Sequence, residues 1–283
     1  MHVATVTLPE CTSGRFACFA IGDLHSDSIA FREDRLKRYI RHITKYKGQA
    51  VAVCVGDYHN GQTPGHKHFN ADATRPDYLL NMDGYVKHSL AHNERLLKPI
   101  TEAGIPLVMC EGNHELMMGY IGYTAMLADR VNGIFIGGAG FVRVRSTTNP
   151  GKDGFHKTTV LYVHHGSRGG TNPGPKVNAM QQLMVPWEAD VYIAGHVHDA
   201  DLRIVPRYGI NRTTKGTDEM QRRHVALYRA PSFLDRVPPK VTTYADRKEY
   251  GTNDEGLQWL SVHPRHGVMK RHEFVPELIR PAA

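Results

Sequence analysis

The stretch Val51-Ala-Val-Cys-Val-Gly-Asp57-Tyr-His-Asn60 decides how this chain is organised. Five apolar residues, three of them β-branched valines, run directly into a glycine and Asp57, and small and polar groups follow. Such a run is typical of a buried strand that ends in a turn and presents a carboxylate. The question is what Asp57 is presented to.

Four other apolar runs also end in a polar cluster. Together the five read F-A-I-G-D-L-H (19–25), V-C-V-G-D-Y-H-N (53–60), V-M-C-E-G-N-H-E (108–115), L-Y-V-H-H-G (161–166) and Y-I-A-G-H-V-H (192–198). In sheets flanked by helices, ligands bind outside the carboxyl ends of the strands, where loops converge. We therefore expect all five clusters to meet at one rim.

The types of side chain in these clusters predict a metal centre. The chain has 18 histidines, and His is the commonest metal ligand. Oxygen and imidazole ligands without thiolate suit Mn, Fe, Zn, Co or Ni. Two aspartates, one asparagine and four histidines are too many for one tetrahedral ion, and a carboxylate is able to bridge two cations. We therefore expect a dinuclear site, with Mn²⁺ as the first choice.

The ordered motifs D-x-H, G-D, G-N-H-E, H-G and G-H-x-H resemble those of the calcineurin-like metallophosphoesterase superfamily. They extend from Phe16 to His198, about two-thirds of the chain. Each motif alone is weak, but five in the correct order are specific. The resemblance implies an α/β fold, a four-layer α-β-β-α sandwich of two mixed sheets flanked by helices. It also implies hydrolysis of phosphoesters by a hydroxide that two metal ions activate.

The resemblance assigns roles position by position. It implies that one metal is held by Asp23, His25 and His198, that the other is held by Asn113, His165 and His196, and that Asp57 bridges them. His114 would donate a proton to the leaving oxygen or stabilise charge on the phosphoryl group. His164 competes with His165; we prefer His165 because it directly precedes Gly166, as in the family's H-G motif.

The second motif separates branches of the superfamily. Ser/Thr protein phosphatases resemble G-D-x-x-D-R-G there, whereas this chain has Asn60 and Gly61 in place of the Asp-Arg pair. We expect the Asn60 amide to hydrogen-bond His114, and the change favours a phosphodiesterase, including a nuclease, acting on DNA, RNA or a nucleotide. His59 and Arg168 are candidate substrate contacts. A phosphomonoesterase is the alternative, and a non-catalytic scaffold with the same fold is a third hypothesis.

Composition adds expectations about partners and location. The chain has 283 residues and a net charge of +7, which is compatible with a polyanionic substrate. No apolar run approaches the roughly 20 residues that span a bilayer. The four cysteines form no C-x-x-C pair, and three lie inside or at the ends of apolar runs. We expect buried thiols, no membrane partner and a cytoplasmic location.

Hydrophobic periodicity predicts how the motifs are connected. In the first half we expect strands at 16–21, 50–55 and 106–110, with helices at 29–46, 77–103 and 116–130. In the second half we expect strands at 141–145, 158–163, 190–194, 225–228 and 259–262, and more antiparallel pairing. Long loops are predicted at 61–76, 166–176 and 201–224, the last with a surplus of positive charge. We expect one domain over 1–283, with core motifs in 16–200 and the strands and basic loop of 201–283 completing the second sheet.

Overall fold

A computed structural model describes residues 2–8, 11, 15–66, 69–117, 122–146, 157–166, 173–212, 218–235, 257–263 and 268–274. In these ranges twelve strands form two mixed sheets of six strands each, and helices cover the outer faces. The predicted α/β sandwich is therefore confirmed. None of the helices in the described ranges combines the length and apolar character that crossing a bilayer requires.

The strands are β1 (His2–Leu8), β2 (Phe16–Ile21), β3 (Ala50–Cys54), β4 (Leu107–Met109), β5 (Ile134–Phe135), β6 (Ala139–Ser146), β7 (Lys157–His164), β8 (Val191–Ala194), β9 (Asp201–Arg212), β10 (Asp218–Arg229), β11 (Leu257–His263) and β12 (Val268–Phe274). The α-helices are α1 (Glu33–Ile43), α2 (Pro76–Leu79), α3 (Tyr85–Glu102), α4 (Asn113–Met117), α5 (Tyr123–Arg130) and α6 (Pro173–Leu183).

The side chains of β3 alternate between the two faces of the strand, and each face packs against a different layer of the protein. Ala50, Ala52 and Cys54 pack against apolar residues of α1, α3 and α5, whereas Val51 and Val53 pack into a core shared by the two sheets. Every residue of β3 is buried because both of its faces are covered. A third apolar cluster packs α6 on the outer face of the second sheet.

The first sheet has the order β12-β11-β2-β3-β4-β5, and the second has the order β1-β6-β7-β8-β10-β9. Strands β2 to β5 are parallel, as their helical connections predict. The expectation of more antiparallel pairing in the second sheet is wrong, because each sheet has three parallel and two antiparallel pairs.

Two expectations about the C-terminal third also need correction. Residues 201–212 and 218–224 of the predicted loop instead belong to a long antiparallel hairpin, β9 and β10, in which Leu202 and Ala226 face the shared core. The last two strands do not complete the second sheet. They extend the first, because β11 pairs antiparallel with β2 and β12 pairs with β11.

Several helices begin or end at residues other than those that the hydrophobic periodicity predicts. The predicted helix 77–103 is split into α2 and α3, and α1 begins at Glu33, four residues after the predicted start. The predicted helix 116–130 is likewise divided into α4 and α5. Part of the predicted loop 166–176 belongs to α6, which begins at Pro173. None of these differences moves a residue of the five motifs away from its strand end.

Candidate metal centre

The five motif clusters meet at the carboxyl ends of the strands. Asp23 and His25 follow β2, and Asp57 follows β3. Asn113 begins α4 just beyond β4, while His165 follows β7 directly. His196 and His198 follow β8. The rim therefore draws on both sheets, which converge at this end of the sandwich.

The side chains form two groups of potential ligand atoms. In the first group, atoms of Asp23, His25, Asp57 and His198 all lie within 4.8 Å of one another; in the second, the same holds for Asp57, His165 and His196. Because Asp57 belongs to both groups, its carboxylate lies where a bridging ligand would lie. Asn113 adds an oxygen to the second group, with Oδ1 2.9 Å from both His165 Nε2 and His196 Nδ1.

The contacts within these groups fit cations. His25 Nε2 lies 3.2 Å from His198 Nε2, and His165 Nε2 lies 3.2 Å from His196 Nδ1. Two ring nitrogens that face each other compete for one proton, whereas a cation accepts both lone pairs. Carboxylate, amide and imidazole donors together suit a first-row transition metal. The residues present therefore fit the two metal ions that the motifs imply.

Electrostatics support the same conclusion. Burial raises the pKa of Asp23 to about 7. Burial also opposes ionisation of Asp57, but its hydrogen bond with His165 and the charges of His165 and His25 hold its pKa below the usual range. In the described ranges, no lysine or arginine contacts either carboxylate. Within the part of the chain that the structure describes, the negative charge of this buried site is thus not balanced by a permanently charged side chain.

The backbone at the rim adopts costly conformations. Positive φ angles occur at five of the candidate ligands: Asp23 (43°), His25 (44°), Asp57 (52°), His196 (72°) and His198 (54°). Among the other described non-glycine residues, only Asn132 shares this property. A left-handed conformation costs on the order of 1 kcal/mol or more for each such residue, and it persists only where the surroundings impose it. Such clustering of strain is typical of functional sites.

A glycine is required where two of the loops cross. A Cβ atom on Gly112 would lie 2.3 Å from both the backbone nitrogen and Oδ1 of Asp57. The Asp57 loop and the G-N-H-E turn are therefore packed backbone to backbone. This close approach places Asn113 and Asp57 in the same site.

Glu115, to which the sequence motifs gave no role, holds these loops together. Its buried carboxylate accepts hydrogen bonds from the backbone N–H groups of Asp57 (3.0 Å), Tyr58 (2.8 Å) and Gly112 (2.8 Å). The position of Glu115 as the last residue of G-N-H-E was the available signal. Its side chain orients the Asp57 loop and does not belong to either group of potential ligands.

His114 lies beside the candidate ligands but contacts Asn60 differently from the expectation. Its Nε2 is 3.9 Å from Asp57 Oδ2, and its Nδ1 is 2.7 Å from the main-chain oxygen of Asn60. The partner is therefore the backbone carbonyl of Asn60, not its amide side chain. Because a carbonyl only accepts, Nδ1 carries the proton and Nε2 faces the centre.

The remaining candidate site residues are two histidines and one arginine. His59 does not line the cleft: its side chain is fully buried, its ring packs edge-on against Tyr123 at 4.4 Å, and burial lowers its pKa to about 3. His164 Nδ1 accepts a hydrogen bond from the backbone N–H of Gly166. His164 belongs to neither group of potential metal ligands, whereas His165 belongs to the second. Arg168 lies outside the described residues.

The family is identified by direct comparison. The family model described as calcineurin-like phosphoesterase matches residues 18–200 of the chain, which is more than half of its length. The chain belongs to the calcineurin-like phosphoesterase family. The matched region contains all five motifs and both groups of potential ligands.

Solved structures of calcineurin-like phosphoesterases and related proteins show only distant likeness. YfkN of Bacillus subtilis has 11% identity and a TM-score of 0.33, over 64% of this chain and 61% of that protein, less than two-thirds of its length. Vps29 of Chaetomium thermophilum has 11% identity and a TM-score of 0.28 over 75% and 97%. A candidate diadenosine tetraphosphatase has 14% identity and a TM-score of 0.35 over 96% and 98%. No curated protein sequence matches the chain.

Proposed function

We propose that this calcineurin-like phosphoesterase is a phosphodiesterase that uses two metal ions. The observation that carries the proposal is the pair of ligand groups that share Asp57. Asp23, His25 and His198 would hold one ion, and Asn113, His165 and His196 the other. The mixed oxygen and imidazole set favours Mn²⁺, with Fe, Zn, Co or Ni as the other candidates. Two such ions supply Lewis acidity toward a water molecule and a phosphoryl oxygen.

The protein's own groups have defined tasks in this proposal. The Asp57 carboxylate fixes the spacing of the two ligand groups, and Glu115 fixes the loop that carries it. His114 would act as an imidazolium with protons on both ring nitrogens: the Nε2 proton goes to the leaving oxygen, and the ring is left neutral with its proton on Nδ1. Its Nδ1–H contact with the Asn60 carbonyl sets the direction in which Nε2 points.

The preference for a diester rests on what replaces the phosphatase Asp-Arg pair. At Asn60 and Gly61 the chain lacks the guanidinium that would grip the dianionic group of a monoester. The β9–β10 hairpin adds the basic residues Arg203, Arg207, Arg222 and Arg223, and the net charge of +7 suits a nucleic acid or a nucleotide. We therefore place the substrate among phosphodiesters of this kind.

The test compares bis-p-nitrophenyl phosphate, p-nitrophenyl phosphate and end-labelled DNA with the Mn²⁺-loaded protein. We expect hydrolysis of the diester, and cleavage of DNA would identify a nuclease. Activity confined to the monoester would refute the proposal and favour a phosphomonoesterase. Metal analysis gives the control: fewer than one transition metal ion per chain after reconstitution would instead favour a scaffold without catalysis.

A further inference from the structure

Asp27 lies behind His114 and is not one of the candidate metal ligands. Its side chain is 2% exposed. One carboxylate oxygen, Oδ1, accepts from the backbone N–H of Asn60 at 2.6 Å, and the other, Oδ2, accepts from the Tyr85 hydroxyl at 2.6 Å. A buried carboxylate with two short hydrogen bonds is firmly fixed.

Tyr85 connects Asp27 to the peptide group that His114 contacts. The Tyr85 hydroxyl oxygen accepts from the backbone N–H of Gly61 at 3.2 Å. This N–H and the Asn60 carbonyl belong to the same peptide group, and that carbonyl accepts from Nδ1–H of His114 at 2.7 Å. The donors all point the same way, from His114 through the peptide and the tyrosine to the carboxylate.

A chain of hydrogen bonds with one direction strengthens each of its members, because each bond polarises the next. The Gly61 N–H, bonded to Tyr85, makes the Asn60 carbonyl a better acceptor for His114. The carboxylate in turn accepts the proton of the tyrosine. Asp27 thus lies at the accepting end of a chain of hydrogen bonds that begins at the imidazole.

We propose that Asp27 and Tyr85 are positioning residues for His114, and that they act through the peptide group between Asn60 and Gly61. The inference rests on the proposed function, in which His114 protonates the leaving oxygen. This relay is the chain of hydrogen bonds from His114 through the peptide group and Tyr85 to Asp27. It orients the imidazole as a carboxylate in direct contact with the histidine would. It keeps the neutral ring protonated at Nδ1 and its Nε2 directed at the centre.

The first test is a double-mutant cycle between Tyr85→Phe and His114→Asn. Tyr85→Phe removes one hydroxyl and should lower kcat roughly three- to tenfold, the usual effect of one lost hydrogen bond, with KM and bound metal unchanged. In the His114→Asn background the same change should have no further effect. Equal losses of kcat in both backgrounds would overturn the proposal, because Tyr85 would then act independently of His114.

Tyr78→Phe is the matched control. Tyr78 is also buried and packs against the Tyr85 ring at 5.5 Å, but its hydroxyl contacts Ser26 and His92 and not the peptide. It should leave kcat within twofold of the wild type, about the uncertainty of such comparisons. Asp27→Asn is the second variant, since its amide would face the Tyr85 hydroxyl with a donor and break the direction of the chain. It should reproduce the loss seen with Tyr85→Phe.

A second readout does not depend on catalysis. In the Zn²⁺-loaded protein, ¹⁵N chemical shifts of the His114 ring, assigned with His114→Asn, should show protonation at Nδ1. Tyr85→Phe and Asp27→Asn should shift the ring toward the other tautomer. An unchanged tautomer in both variants would refute the relay. A wild type inactive on every phosphoester would refute only the proposed function, because the tautomer measurement would still decide this inference.

Discussion

Two clusters of histidine and carboxylate lie close together in this protein, and they obtain positive charge in different ways. One is the candidate metal centre around Asp57. The other, the Glu33 cluster, consists of Glu33, Lys37, Arg75, Tyr78 and His92. Both contain a buried imidazole beside a carboxylate, which is buried at Asp57 and partly buried at Glu33. Only the metal centre has histidine nitrogens that face one another at 3.2 Å.

In the Glu33 cluster the protein supplies its own cations. Glu33 accepts from Lys37 at 2.7 Å, Arg75 at 3.0 Å and His92 at 3.1 Å. Burial opposes ionisation of Glu33, but these hydrogen bonds lower its pKa to about 2. The other ring nitrogen of His92 contacts the Tyr78 hydroxyl at 2.9 Å. Each charged group therefore has a protein partner, and the cluster is structural.

At the metal centre, by contrast, the carboxylates of Asp23 and Asp57 have histidine and backbone partners only, within the described part of the chain. Residue types therefore do not distinguish a set of metal ligands from a structural network. What distinguishes them is whether lysine or arginine already neutralises the carboxylates. Four predictions test that distinction.

The largest effect is expected for Asp57→Asn. The amide lacks the charge needed to bridge two cations, so we expect nearly all activity to be lost and the bound metal to fall below two ions per chain. Elemental analysis of the reconstituted protein and hydrolysis of bis-p-nitrophenyl phosphate measure both. Glu33→Gln makes the same chemical change in the Glu33 cluster and should keep both metals. A variant at position 57 with two metals and full activity would contradict the assignment.

His114→Asn should retain both metals but slow the chemical step by about 10² to 10⁴, the usual range for loss of an acid or base. The loss should be larger for diphenyl phosphate than for bis-p-nitrophenyl phosphate, because phenolate is the more basic leaving group and needs the proton more. Single-turnover kinetics on the two diesters measure the difference. Equal losses on both would mean that His114 stabilises the phosphoryl charge instead.

Glu115→Gln should destabilise the fold and weaken metal binding without removing a ligand. The amide group would direct a donor at backbone N–H groups that now bond the carboxylate, and each buried group left unpaired costs about 1 to 3 kcal/mol. Urea denaturation measures the change in the free energy of unfolding. Glu111→Gln, in the same turn but only partly buried, should have little effect. Comparable stability of the two variants would remove Glu115 from its orienting role.

The smallest effect is expected for Glu33→Gln, and it depends on pH. The folded-state pKa of Glu33 is about 2, below the ordinary value of 4.5, so its ionised form stabilises the fold above pH 4.5. That contribution is lost as the pH falls from 4.5 toward 2. Urea denaturation at pH 7 and pH 3 should therefore show a wild-type advantage that shrinks in acid. A constant difference would mean that charge is not the cause; Glu102→Gln, exposed at the end of α3, is the control.

Local pattern explains why the candidate site was predictable. Asp23, Asp57 and His165 each come within three residues of the end of a strand, and an apolar run is visible in the sequence. Parallel pairing of β2, β3 and β4 then brings strand ends to one rim without further information. The sequence therefore predicted the grouping of the candidate ligands, while the occupancy of the site by metal stays a prediction.

Residues whose role depends on distant partners were not predictable. The positive charges of β9 suggested a loop. In the structure, the charged residues Asp201 and Arg203 alternate along the strand with Leu202 and Ile204, and these two apolar side chains pack toward the shared core. His59 was a candidate substrate contact. Its ring is instead enclosed by Tyr85 and Tyr123, from segments far along the chain.

The sequence by itself determined the strand ends, the order of the motifs and the chemical types of the candidate ligands, because these are properties of neighbouring residues. Only the tertiary structure decided which carboxylates meet lysine or arginine and which do not. It also decided that His114 contacts a main-chain carbonyl, a partner that every residue type provides and that no sequence pattern marks. The physical reason is that charge balance and buried hydrogen bonds depend on contacts between distant segments, which exist only after the two sheets have packed together.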